Sequence, residues 1–254
     1  MRLYKPQELT ERTGDIMLLY GDTGVGKSVT AIQTCPDPIV YIMTEGRDVT
    51  KILKAANRPD VKIAFGFYTT WDDMMACVCD MDNFAGAKSI VIDSLSHIMT
   101  AGLGAEIEDE SFESLDKKKG IDKPLTMRTK MSLEGYGALA GQMMRFTNAL
   151  AKLSQQGLTV VCLARTEQNP KFNRALAGAP ALKGREYAKD MPGYFDFIGY
   201  VEQRIEDGKV QYPPLVSFES VGSYMCKWNG LMPEGGVYKR ILNIERILKA
   251  SHGE

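Results

Sequence analysis

The chain has 254 residues, of which 44% are hydrophobic and 25% charged, a globular profile that excludes a collagen, a disordered tail or a zipper as the whole molecule. Its 31 basic and 32 acidic residues leave a net charge of -1, so it is no histone-like polycation. Any contact with nucleic acid has to rest on where the charges lie.

The first element is a short apolar strand, Ile16 to Tyr20, followed at once by Gly21-Asp22-Thr23-Gly24-Val25-Gly26-Lys27-Ser28 and then by a helix that starts near Val29 and stops at Cys35-Pro36. This is a full G-x-x-x-x-G-K-[ST] phosphate loop in the strand–loop–helix context it requires. The glycines let the backbone curl so that its N–H groups point inward, and the helix start adds positive potential. Lys27 is placed to reach the terminal phosphates and the Ser28 hydroxyl to sit on Mg2+. A second strand, Ile39 to Met43, ends in Thr44-Glu45-Gly46-Arg47-Asp48. Position alone leaves Glu45 between a water-orienting base and a solvated loop residue, while Arg47 and Asp48 read as surface or helix-start residues.

A third strand is predicted over Val61 to Phe65, leading through Gly66-Phe67 into a turn, then a helix over Trp71 to Phe84 whose Trp71, Met74, Met75 and Val78 mark a core face. The continuously apolar run Ile90 to Ile92 reads as a central parallel strand and delivers Asp93 to the carboxyl edge, where ligands bind in open α/β sheets. Asp93 is the partner of Ser28 in holding Mg2+.

A long helix from Leu133 to Gln156 leads to a buried strand, Val160 to Leu163. Strands at Ile198 to Ile205 and Pro214 to Phe218 follow, with Asp207-Gly208 as a hairpin turn, and a helix over Leu242 to Ala250 ends the pattern. No long linker interrupts it, so residues 1–254 read as a single domain.

Two connections, at about 96–132 and 165–192, are longer than turns. The first carries Glu106, Glu108, Asp109, Glu110, Glu113 and Asp116, then Lys117, Lys118, Lys119, Lys123, Arg128 and Lys130. The second carries Lys171, Arg174, Lys183 and Arg185, with Phe172 and Tyr187 available for stacking, and it leaves the same sheet edge as the nucleotide. These four cations are the candidate contacts to single-stranded DNA, set against the plain alternative of a charged solvent-facing loop.

The five cysteines are an odd, sparse set that fits a reducing compartment. Cys77 and Cys79 have no second pair to complete a metal site, and two histidines exclude a histidine-rich metal centre. No run approaches the ~20 apolar residues of a membrane span, so a cytoplasmic location is expected, the host's cytoplasm if the protein is viral.

The spacing of the phosphate loop, Tyr41-Ile42-Met43-Thr44-Glu45, Ile92-Asp93-Ser94-Leu95 and Val160 to Arg165 resembles the RecA-like ATPases. Among these it is most similar to the small single-domain phage nucleotide-binding proteins associated with single-strand annealing, recombination and replication. The resemblance implies an α/β fold, a RecA-like P-loop NTPase core with a mainly parallel central sheet and late antiparallel strands. It implies a nucleotide site over Gly21 to Val29, Glu45 as catalytic base, and a polar sensor of the terminal phosphate among Arg165, Thr166 and Gln168. It also implies a basic residue reaching a neighbouring subunit's nucleotide in a homo-oligomer. Lys227 fits that position best, with Lys239 and Arg240 as substitutes.

The reading is therefore an ATPase using ATP and Mg2+, coupled to single-stranded DNA, with Lys27, Glu45, Asp93 and Lys227 as its catalytic set. The alternative is a nucleotide-dependent switch or motor subunit acting on a protein partner through the acidic run Glu106 to Asp116. A small-substrate kinase fits less well, because no compact lid with paired arginines is evident.

Overall fold

A computed structural model describes residues 14–109, 131–219, 221–231 and 239–253. In chain order its elements are β1 (Ile16–Gly21), α1 (Lys27–Thr34), β2 (Ile39–Met43), α2 (Val49–Ala56), β3 (Ile63–Phe67), α3 (Trp71–Cys79), β4 (Ser89–Asp93) and α4 (Leu95–Ala101). Then come α5 (Leu133–Gln155), β5 (Thr159–Ala164), β6 (Thr166–Gln168), β7 (Gly178–Pro180), α6 (Arg185–Asp190), β8 (Phe197–Glu206) and β9 (Lys209–Ser217). The last are β10 (Lys227–Trp228), β11 (Lys239–Ile241) and α7 (Ile244–His252).

The main sheet runs β11-β9-β8-β1-β5-β4-β2-β3, with β10 also on β8. From β3 through β8 every pairing on this path is parallel, and β9, β10 and β11 join antiparallel. A parallel strand buried on both faces needs apolar residues at every position, and β1 has them: Ile16, Leu18 and Tyr20 face one core, Met17 and Leu19 the other. Helices α3, α4 and α5 cover the first face, and α1, α2 and α7 the second. A Leu18→Ala cavity at the centre of this sheet would cost about 2–5 kcal/mol. The fold is the mainly parallel sheet with late antiparallel strands that the sequence resemblance implies.

The structure corrects several boundaries. The helix expected over Trp71 to Phe84 stops at Cys79, because the Asp80 side chain accepts from the Asp82 amide and starts a separate 3-10 turn over Met81–Phe84. The strand expected over Val61 to Phe65 runs instead over Ile63–Phe67 and takes in Gly66 and Phe67. The connection at 96–132 begins as helix: α4 is followed by a helical stretch over 103–109, while Glu110, Glu113, Asp116 and the lysines and arginine after them lie outside the described residues. The connection at 165–192 holds the β6–β7 hairpin, α6 and a 3-10 turn.

No helix among the described residues is long and apolar enough to cross a membrane.

Candidate nucleotide site

The carboxyl ends of β1, β2, β4 and β5 open into a 490 Å³ cavity whose lining includes Thr23, Gly24, Gly26, Lys27, Ser28, Val29, Glu45, Arg47, Asp93, Ser94 and Arg165. The phosphate loop forms its floor. Gly26 has φ of 100°, a left-handed conformation that suits glycine. A Cβ there would stand 2.9 Å from the Tyr212 ring. Gly21 is needed for a different reason, since a Cβ would fall 2.3 Å from the Val201 carbonyl on β8. Gly26 is the N-cap of α1 and supplies no side-chain hydrogen bond, so the first amides of α1 are open to an anion.

Lys27 Nζ donates to the Gly21 and Asp22 carbonyls at 2.7 and 2.9 Å. Burial pulls its pKa down from 10.5 to about 8; Asp93 and Asp22 draw it partly back up, and the Arg47 charge pushes it further down. Val25 does not line the cavity: it is 5% exposed and packs into the core beneath.

Asp93 is 5% exposed. Its Oδ2 accepts from Ser28 Oγ at 2.7 Å and from the Tyr41 hydroxyl at 2.6 Å. Burial and the Asp93 charge push the Tyr41 phenol far above its usual value, so it remains a donor. A serine hydroxyl touching a carboxylate at the start of a phosphate-binding helix is a hard-oxygen set. It suits Mg2+, which keeps several waters and takes few protein ligands beside substrate phosphates. Among the described residues no cluster of three or more His, Cys, Asp or Glu could hold a metal ion.

Glu45 follows Thr44, which is locked to the end of β4. The Thr44 amide donates to the Asp93 carbonyl at 2.8 Å, its hydroxyl to the Ser94 carbonyl at 3.1 Å, and the Ser94 amide to Thr44 Oγ1 at 2.8 Å. Glu45 Oε1 accepts from Ser94 Oγ at 3.2 Å, and Oε2 is ion-paired with Arg47. Asp48 caps α2 by accepting from the Thr50 amide, whereas Arg47 faces the cavity instead of being a plain surface residue.

Of the three sensor candidates, Arg165 lines the cavity, and its amide donates to Ser96 Oγ at 2.9 Å. Thr166 and Gln168 belong to the β6–β7 hairpin. Lys227 is not brought to this site. It pairs with Ile198 near the start of β8, about 10 Å down the strand from the phosphate-loop end. Its ammonium there donates to the Pro192 and Phe195 carbonyls at 3.0 and 2.6 Å. Lys239 is ion-paired with Glu202.

Tyr41, Tyr212 and Arg47 are the site residues that sequence reasoning missed. Tyr41 lies inside the Tyr41 to Glu45 motif, but its contact with Asp93 depends on β2 lying beside β4. Tyr212 comes from β9 and donates to the Gly24 carbonyl at 3.4 Å.

A second cavity, of 580 Å³, is lined by Arg165, Lys171, Lys183 and Arg185 together with Tyr136, Phe172 and Glu167. Three of the four DNA-contact candidates thus converge, while Arg174 is exposed outside the cavity. Lys183 is ion-paired with Glu108 at 3.4 Å.

A phosphate loop on β1, and Asp93 two strands away with β5 between, on a mainly parallel sheet with late antiparallel strands, define a RecA-like P-loop NTPase core. A family model described as an AAA domain matches residues 13–246, and the chain belongs to that AAA domain family, with the general nucleotide-binding and hydrolase character of such domains. No curated protein matches the sequence.

Proposed function

We propose that the chain is a Mg2+-dependent ATPase coupled to single-stranded DNA, of the kind that serves phage recombination, annealing or replication. The observation that carries this reading is the pair of adjoining cavities, one holding Lys27, Ser28, Asp93 and Glu45, the other lined by basic residues, with Arg165 in both.

In the first cavity the loop amides and Lys27 bind the phosphates. Ile52, Ala55 and Tyr212 offer an apolar wall for a base. Ser28 and Asp93 would hold a Mg2+ ion, which would supply charge neutralisation at the phosphate oxygens. Glu45 orients a water and takes its proton as the new P–O bond forms and the β–γ bridging bond breaks, leaving ADP and phosphate. In the second cavity Lys171 and Arg185 supply cations for a phosphate backbone, and Phe172 and Tyr136 supply faces for bases. Assembly into a homo-oligomer, with Lys227 acting across the interface, belongs to the same reading. That role would require Lys227 to leave the Pro192 and Phe195 carbonyls.

The protein-partner switch draws less support. Glu106 accepts from the Tyr68 hydroxyl and the Trp71 amide, and Glu108 pairs with Lys183, so these members of the acidic run are used internally.

The test is ATP hydrolysis by the purified chain with Mg2+, titrated with single-stranded DNA and with duplex DNA as control. Turnover that rises with the single strand alone is expected. Hydrolysis indifferent to DNA would overturn the DNA assignment, and absence of hydrolysis under all conditions would overturn the ATPase.

A further inference from the structure

Among the described residues that line the nucleotide cavity, Arg47 is the cation paired directly with the candidate base. Its guanidinium holds Glu45 Oε2 while Ser94 holds Oε1, so both carboxylate oxygens already have partners. It stands on a tight turn, its amide donating to the Glu45 carbonyl at 2.8 Å, and its side chain is 43% exposed. The neighbouring carboxylate Asp48 is engaged elsewhere, its Oδ1 by the amide and hydroxyl of Thr50 and its Oδ2 by Lys51. Arg47 also lies close enough to Lys27 for its charge to act on that ammonium.

A nucleoside triphosphate carries its greatest negative charge at the terminal phosphate, which in this cavity would approach Glu45. The carboxylate and the phosphate repel unless a cation stands between them. An exposed guanidinium can satisfy either anion, and its planar fork suits phosphate as well as carboxylate.

We propose that Arg47 is a nucleotide-gated arginine: it closes on Glu45 when the site is empty or holds a diphosphate, and passes to the terminal phosphate when a triphosphate binds. The exchange frees Glu45 Oε2 for a water only when there is a bond to hydrolyse, and it places a positive charge on the phosphoryl oxygens. The proposal rests on the ATPase reading above.

The experiment measures binding of ADP and of the non-hydrolysable imido analogue of ATP, with Mg2+, by calorimetry. The proteins are the wild type, Glu45→Gln, Arg47→Ala and the double variant. Arg47→Ala is expected to weaken the triphosphate analogue by about tenfold or more, the scale of a lost charge-assisted hydrogen bond, while ADP changes by less than about twofold. The same selective loss should persist when Arg47→Ala is added to Glu45→Gln, where no base charge remains to be neutralised. If the double variant binds the analogue as well as Glu45→Gln does, Arg47 only masks Glu45 and the proposal fails. Equal weakening of ADP and analogue also overturns it. Failure of the wild type to bind either nucleotide would instead bring down the ATPase reading itself.

Discussion

The Tyr41 phenol donates to Asp93 Oδ2 at 2.6 Å from the neighbouring strand, two residues out of register on the same face of the sheet. The oxygen it grips is the one that also accepts from Ser28, so the carboxylate is oriented from β2 and from α1 together. Tyr41→Phe removes one donor from a buried carboxylate and is expected to destabilise the fold by about 1.5–3 kcal/mol. It should also raise the Mg2+ concentration needed for half-maximal nucleotide binding several-fold. A Mg2+ titration identical to wild type would show that Tyr41 does not position Asp93.

Lys27 makes the site sensitive to pH. Its pKa is about 8 in the folded chain against 10.5 ordinarily, so between those values the unfolded state holds more protons and stability rises with pH. The cost of burying the ammonium is present below about pH 8 and is relieved above it. Nucleotide binding has the opposite slope, because a polyphosphate needs the protonated amine. Affinity should fall by up to about tenfold per pH unit above 8, and Lys27→Ala should flatten both profiles. A wild-type affinity constant between pH 7.5 and 9.5 would contradict the assignment.

Glu45→Gln is expected to bind the triphosphate at least as tightly as the wild type while lowering turnover by about 100-fold or more, the usual contribution of a positioned base. Single-turnover hydrolysis beside equilibrium binding separates the two effects. Normal turnover would mean that another group orients the water.

The left-handed Gly26 predicts its own sensitivity. Gly26→Ala strains the loop by about 1–3 kcal/mol and drives a methyl toward Tyr212. Adding Tyr212→Ala should restore only the part due to the clash. Thermal unfolding of the single and double variants measures the split, and full recovery in the double variant would show that the backbone carries no strain.

In the basic cavity, Arg185→Ala should reduce the salt dependence of single-strand binding by about 0.7 in log–log slope, one phosphate contact. Lys183→Ala should cost less, since Glu108 already takes part of that charge. Anisotropy titrations across salt concentrations would read both, and unchanged slopes would remove these residues from any DNA contact.

The phosphate loop and Asp93 could be read from sequence because their chemistry is written in consecutive residues beside strongly apolar strands. The partners of those residues could not. Tyr212 reaches Gly26 across a sheet whose order no local pattern reveals, and Lys227 falls at the wrong end of β8 for the same reason. The segments 96–132 and 165–192 read as loops because seven residues of α4 and three each of β6 and β7 are too short for a periodic signal. Pro213 and Pro214 split the reading of β9. In the structure they sit where the ladder shifts register opposite Glu202 and Arg204, a place where the absence of proline amides does little harm.

Arg165 stands in the wall between two cavities, with its amide anchored to Ser96 Oγ just beyond Asp93-Ser94. One guanidinium cannot fully serve an anion on each side. Ligands of the two cavities that both draw on it are therefore bound by thermodynamic reciprocity: whatever factor the first imposes on the affinity of the second, the second returns to the first. Measuring the effect in one direction fixes it in the other, and its sign tells whether the wall is shared or contested.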